Sequence, residues 1–141
     1  MEIDPRISTE KVWKVLLEKI SHPDRFLDVK DVVARISDDG LGTYREMTTC
    51  FMTATGKPER RVIENIYALE DKLEVLFIVI GDENEHVNAI ITNPDGSRKL
   101  EFFLRNATTK ERVPWDVPKF APLTGVKKVL DKAASLQEED L

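Results

Sequence analysis

An unbroken series of strand and turn signals from Asp31 to Asn106, with one amphipathic helix before it and one after it, constrains this chain more than any motif. All six glycines lie at or near turns or element ends: Gly40 and Gly42 in Asp-Asp-Gly-Leu-Gly, Gly56, Gly81, Gly96 in Asn-Pro-Asp-Gly, and Gly125. The segments between them are rich in Val, Ile, Thr, Phe and Tyr and predict strands over Val32–Ser37, Thr43–Thr55, Glu59–Leu69, Lys72–Ile80, His86–Thr92 and Arg98–Asn106. The links are too short for parallel crossovers, so consecutive strands must pair antiparallel. The fold class is α+β, a long antiparallel sheet closed off by a C-terminal helix, an architecture that makes a container more often than a machine.

The first helix starts at a Ser8 or Thr9 cap and carries an apolar stripe of Val12, Trp13, Leu16, Leu17 and Ile20 until His22-Pro23 stops it. Pro23 to Phe26 suit one further short turn. Residues Ala107 to Pro122 contain Pro114, Pro118 and Pro122 with Trp115 and Phe120, a composition that suits an ordered loop. Beyond it Leu123, Val126, Val129, Leu130, Ala133 and Leu136 form the stripe of the last helix, followed by an acidic tail, Glu138-Glu139-Asp140.

Length and composition fit a single domain spanning 1–141: 41% hydrophobic residues beside 33% charged ones give enough apolar material for a core without disulfides or metals. A net charge of −5 without a basic run argues against nucleic acid as a partner. Cys50 is the single cysteine, which excludes an internal disulfide and a multi-cysteine metal site. His22 and His86 form no nucleophile-base or metal set, and loop or capping roles are favoured for both; no metal or cofactor is expected. The start of the chain lacks a basic stretch followed by an apolar core, and no segment approaches the roughly 20 apolar residues of a membrane span, so a cytoplasmic location is expected.

Turn positions set the register. A turn at Gly56-Lys57-Pro58 places Thr48 opposite Ile66 and Cys50 opposite Glu64; one at Glu70-Asp71 places Glu64 opposite Phe77 and Ile66 opposite Val75; one at Asp95-Gly96 places Ile91 opposite Leu100, Ala89 opposite Phe102 and Val87 opposite Leu104. One face then collects Val62, Ile66, Ala68, Leu73, Val75, Phe77 and Val79 with Val87, Ala89, Ile91, Leu100, Phe102 and Leu104, and the long helix should cover it. Glu46, Thr48, Cys50 and Glu64 fall on that covered side, with Arg45, Arg61 and Asn65 on the other. Two carboxylates on an apolar face line a polar cavity, reach an edge or find a partner; the alternatives are that sheet curvature or a β-bulge carries Glu46 and Glu64 to an edge, or that the register is slipped by one residue. The other face carries Met47, Phe51, Ile63, Tyr67, Leu76 and Ile78, apolar enough to leave a homodimer contact open.

The string Lys11-Val12-Trp13-Lys14-Val15-Leu16-Leu17, followed by His22-Pro23-Asp24-Arg25-Phe26, Gly42-Thr43-Tyr44-Arg45-Glu46, Glu59-Arg60-Arg61-Val62 and Val87-Asn88-Ala89-Ile90, resembles the AtaL-like family of the SRPBCC, or START-like, superfamily over most of Val12 to Phe103. The resemblance implies a helix-grip fold, in which a curved antiparallel sheet wraps a C-terminal helix around a hydrophobic cavity. It also implies that the usual first strand lies within Met1 to Ile7. Members of the superfamily bind lipids, hormones and polyketides, and some are cyclases or hydrolases, so it implies a ligand cavity without naming a reaction.

Three functional readings stand at this point. In the first, a cavity holds a hydrophobic or aromatic small molecule, with Ile66, Val75, Phe77 and Phe102 as walls and Glu46, Thr48, Cys50 and Glu64 as polar contacts. In the second, Glu46 or Glu64 is a general acid or base in a cyclisation or dehydration. In the third, the Trp115-Phe120 loop binds another chain.

Overall fold

The computed structural model describes residues 1–50, 59–113 and 120–136, the side chains of 120–125 excepted. Helix α1 spans Thr9–Ser21, and a 3-10 turn follows at Pro23–Arg25. Seven strands come next: β1 Val29–Ile36, β2 Thr43–Thr49, β3 Arg60–Leu69, β4 Glu74–Val79, β5 Asn84–Thr92, β6 Arg98–Asn106 and β7 Arg112–Val113. Helix α2, Phe120–Ser135, closes the described chain. The strands form one antiparallel sheet in the order β1 to β7, a plain meander. The fold is therefore α+β, with a seven-stranded antiparallel sheet and a C-terminal helix. Among the described residues no helix is long and apolar enough to cross a membrane.

Each helix begins where its sequence allows. Ser8 caps α1 by accepting the Lys11 N–H at 3.2 Å. Val12, Trp13, Val15, Leu16 and Ile20 are buried, but Leu17, expected in the stripe, is 39% exposed, and Lys19 takes a buried position instead. Helix α2 starts at Phe120, earlier than expected, and holds Pro122 in its first turn, where a missing N–H costs nothing.

The core lies between the two helices and one sheet face. Val12, Leu16 and Ile20 of α1 and Val126, Val129 and Ala133 of α2 pack with Ile66, Val75, Phe77, Ile90 and Leu100. At the chain start, Ile3 N–H donates to the Arg98 carbonyl and Leu100 N–H to that of Met1, both at 2.9 Å, so the first residues lie along the same flank of β6 that β7 occupies further on. Strand β7 falls within the segment expected to be loop throughout.

Two of the three expected registers change face. Ile66 is opposite Thr43, not Thr48, and Met47 is opposite Val62; the displacement of five positions is odd and turns β2 over. Residues 51–58 of the expected Thr43–Thr55 and Glu59–Leu69 hairpin lie outside the described residues. Arg45, Met47 and Thr49 therefore join Glu64 and Ile66 on the helix-covered face, whereas Glu46 and Thr48 take the open one. The third hairpin moves by one: Ile90 is opposite Leu100, Asn88 opposite Phe102 and His86 opposite Leu104. The cause is a five-residue connection, Asn93 to Ser97, in place of a two-residue turn. Asp95 Oδ1 accepts the Ser97 N–H and hydroxyl at 2.9 and 2.6 Å, and Gly96 adopts a left-handed φ of 88°. Val87, Ala89 and Ile91 consequently face away from the helices. In the middle hairpin Ile66 is opposite Phe77 rather than Val75, an even displacement that keeps both on the same face.

Candidate functional site

The register explains one carboxylate and relocates the other. Glu64 is buried on the helix-covered face opposite Arg45, itself 1% exposed. Arg45 Nε donates to Glu64 Oε1 at 2.8 Å, and Nη2 donates to the same oxygen. Arg45 Nη1 reaches the Lys19 and Ile20 carbonyls, each at 3.1 Å, and so closes the last turn of α1, where helix carbonyls lack intrahelical donors. The guanidinium also lies 5.6 Å from the centroid of the Phe77 ring. Arg45 thus ties α1 to β2, β3 and β4. A buried Lys19 stands beside this pair. Burial, with the nearby Arg45 charge, pushes its pKa down to about 8 against the partial compensation of Glu64.

Glu46 and Thr48 belong to a different neighbourhood on the open face. Arg61 Nη1 donates to Thr48 Oγ1 at 3.1 Å and to the Asp31 carbonyl at 2.8 Å, and its Nη2 lies 3.9 Å from Glu46. Asp31 has a left-handed φ of 54° at an irregularity between Lys30 and Val33, where the β1–β2 pairing shifts. Cys50 is half-buried just past β2, its N–H donating to the Asp28 carbonyl at 2.9 Å. Of the predicted contact residues, Glu64, Ile66, Val75, Phe77 and Phe102 share one sheet face, and Glu46 and Thr48 do not join them.

The helix-covered face itself has two parts. Ile66, Val75 and Leu100 are at most 1% exposed under the helices. Towards β7 burial is less complete: Phe102, which packs against the core, and Leu104, Val113 and Val79 are half-buried. Cross-strand pairs join Phe77, His86, Leu104 and Val113 into one row, and the next row carries Val75, Asn88 and Phe102. The sequence favours a loop or capping role for His86. It lies two positions inside β5, Nε2 is 2.9 Å from Asp82 Oδ2, and its ring is tilted 57° to that of Phe102 at a centroid distance of 6.0 Å. Asp82 is partly buried, which raises its pKa, but hydrogen bonds from His86 and the Asn84 N–H at 2.9 Å outweigh that and hold it below its ordinary value. Asn88, 2% exposed, carries an amide that makes no hydrogen bond among the described residues. The period-2 alternation of His86, Asn88 and Ile90 was the available signal, and it was read one position out.

The open face carries a lattice of ion pairs. Glu85, 4% exposed, accepts Arg105 Nη2 at 2.9 Å and Lys110 Nζ at 2.8 Å; Arg105 also lies 3.6 Å from Glu74. Burial works against the Glu85 carboxylate, yet these two cations keep its pKa below the usual value. Arg112 pairs with Glu101 and sits 4.0 Å over the Phe103 ring. Among these charges Val87 is fully buried.

A separate surface cleft of about 440 Å³ lies between the chain start and the β5–β6 connection, lined by Ile3, Ile7, Ser8 and Arg98 among others. Arg98 is committed there to the Thr9 hydroxyl and the Ile7 and Asp4 carbonyls. Among the described residues no cluster of His, Cys, Asp and Glu is arranged to hold a metal ion. No family model matches the chain, and no curated protein compared with it is similar.

Proposed function

We propose that this protein binds an apolar or aromatic small molecule on the helix-covered face of its sheet, at the end formed by β4 to β7. The observation that carries this reading is the contrast within one face: a closed core around Ile66, Val75 and Leu100 gives way to half-buried Phe102, Leu104, Val79 and Val113 around a few polar groups. Mostly apolar walls with few polar groups are what small-molecule sites require. A sheet carrying two helices on one face accords with the helix-grip arrangement that the SRPBCC resemblance implies, in which the cavity lies between sheet and C-terminal helix.

The wall residues of this reading are Phe77 and Phe102, with Ile66 and Val75 forming the floor against which they pack. Glu64 anchors Arg45 and α1 rather than the ligand. The alternative of a cyclase or dehydratase with a cavity carboxylate is weaker, because Glu46 is turned to the open face and Glu64 Oε1 already accepts two guanidinium N–H groups. The Trp115-Phe120 loop of the interaction reading lies outside the described residues, apart from the backbone of Phe120.

Native mass spectrometry of gently purified protein, followed by titration with 2-methylnaphthalene, tests the proposal. It expects a discrete retained mass that is lost on denaturation, or saturable 1:1 uptake of the probe that weakens at least severalfold in Phe102→Ala. An apo mass together with no saturable uptake would overturn it.

A further inference from the structure

We infer that the His86–Asp82 pair, with the Asn88 amide beside it, is a recognition element for a hydroxylated aromatic ligand, one whose phenol or enol O–H donates to His86 Nδ1. The inference rests on the proposed small-molecule site and names its ligand class.

The geometry has three parts. Nε2 lies 2.9 Å from Asp82 Oδ2, and because a carboxylate only accepts, the neutral ring beside it carries its proton on Nε2 and offers Nδ1 as an acceptor. Asp82 is itself fixed by the Asn84 N–H, so the ring is held from behind by the turn that leads into β5. Among the described residues nothing hydrogen-bonds Nδ1. Second, His86 lies in the row of Phe77, Leu104 and Val113 and beside the Phe102 ring, so the acceptor is set among apolar and aromatic surfaces that suit a flat ring. Third, Asn88 follows at i+2 on the same face, buried to 2% exposure with its amide unbonded among the described residues. A ligand oxygen or hydroxyl placed there would give that amide a hydrogen-bond partner.

A turn needs Asp82 to accept the Asn84 N–H, but it does not need a histidine on the helix-covered side of β5, nor an asparagine two residues later in place of an apolar residue such as Ile90. A ligand without a hydroxyl would leave Nδ1 and the Asn88 amide desolvated and unpaired, so the site should discriminate against it.

The test compares 2-naphthol with 2-methylnaphthalene, a pair of nearly equal shape that differs in the hydroxyl. Binding is followed by titration, and the two histidine rings of the chain are observed by 15N NMR. The expected result is that the naphthol binds about tenfold more tightly, that only the His86 Nδ1 resonance moves with it, and that the preference disappears in His86→Phe. Asp82→Asn, which keeps the turn hydrogen bond but no longer fixes the tautomer, should reduce the preference severalfold and serves if His86→Phe does not fold. Equal affinities, a preference that survives in His86→Phe, or an undiminished preference in Asp82→Asn would overturn this inference while leaving the small-molecule site intact. No saturable binding of either probe would overturn both.

Discussion

The two faces of the sheet use charge in opposite ways. On the helix-covered side one arginine and one glutamate are sealed together, and the guanidinium is further tied to the end of α1. On the open side Glu74, Glu101, Arg105, Lys110 and Arg112, with partial access to water, form pairs among themselves and with a buried Glu85. The difference teaches where electrostatics determine structure. A sealed pair offers little net stability over an apolar pair, but loss of one member is severe because it strands the other. A hydrated lattice redistributes its contacts and loses little when one group is removed.

The sharpest way to break this contrast is Arg45→Met. It leaves Glu64 buried without its guanidinium and the Lys19 and Ile20 carbonyls without their donor, and should cost about 3–5 kcal/mol in denaturant unfolding. The double variant Arg45→Met with Glu64→Leu should recover much of that loss, since no charge remains stranded. If the single and double variants were equally unstable, the pair would be held by packing and not by its charges.

Lys19→Met should act in the other direction. The folded-state pKa is pushed down to about 8 from an ordinary 10.5, so between these values the unfolded chain binds more protons, and the stability this residue contributes rises with pH through that window. Below about pH 8 the charged ammonium is buried at a cost. Methionine should therefore stabilise the fold at pH 7 by about 1–3 kcal/mol, and the gain should shrink as unfolding is measured at increasing pH up to 10. A gain independent of pH would mean that burial of charge is not the cause.

Smaller effects are expected from the open face. Glu85→Gln weakens two charge-assisted hydrogen bonds and should cost about 1–2 kcal/mol. Lys127→Ala removes an exposed i,i+4 pair with Asp131 and should cost less than about 0.5 kcal/mol. Reversal of this ranking in chemical denaturation would erase the distinction between the faces.

Much of the fold was legible because periodicity is local. The capped first helix, the meander and the last helix all follow from spacing between turn residues. Face assignment was less legible because it depends on the parity of each connection. The Asn93–Ser97 connection holds an Asp95-Gly96 pair that looks like a two-residue turn, yet Asp95 binds Ser97 and lengthens the loop, which moves His86 and Asn88 onto the helix-covered face. The β2 register likewise exchanged Glu46 for Arg45. With Arg45 opposite Glu64, the puzzle of a carboxylate on an apolar face resolves into a pair that no spacing rule could reveal without the register. Gly42 is a further case: a Cβ there would meet the Ile66 carbonyl and, at 2.8 Å, the Tyr67 ring, so the β1–β2 connection needs glycine for close approach.

The most direct test is to map where 2-methylnaphthalene binds by methyl and aromatic 13C NMR. The expected result is shifts concentrated at Phe102, Leu104, Val79 and Val113 on the helix-covered face, with Ile63, Leu76 and Ile91 of the open face unmoved. Shifts confined to the open-face residues, or saturable binding that moves neither set, would contradict the proposed site.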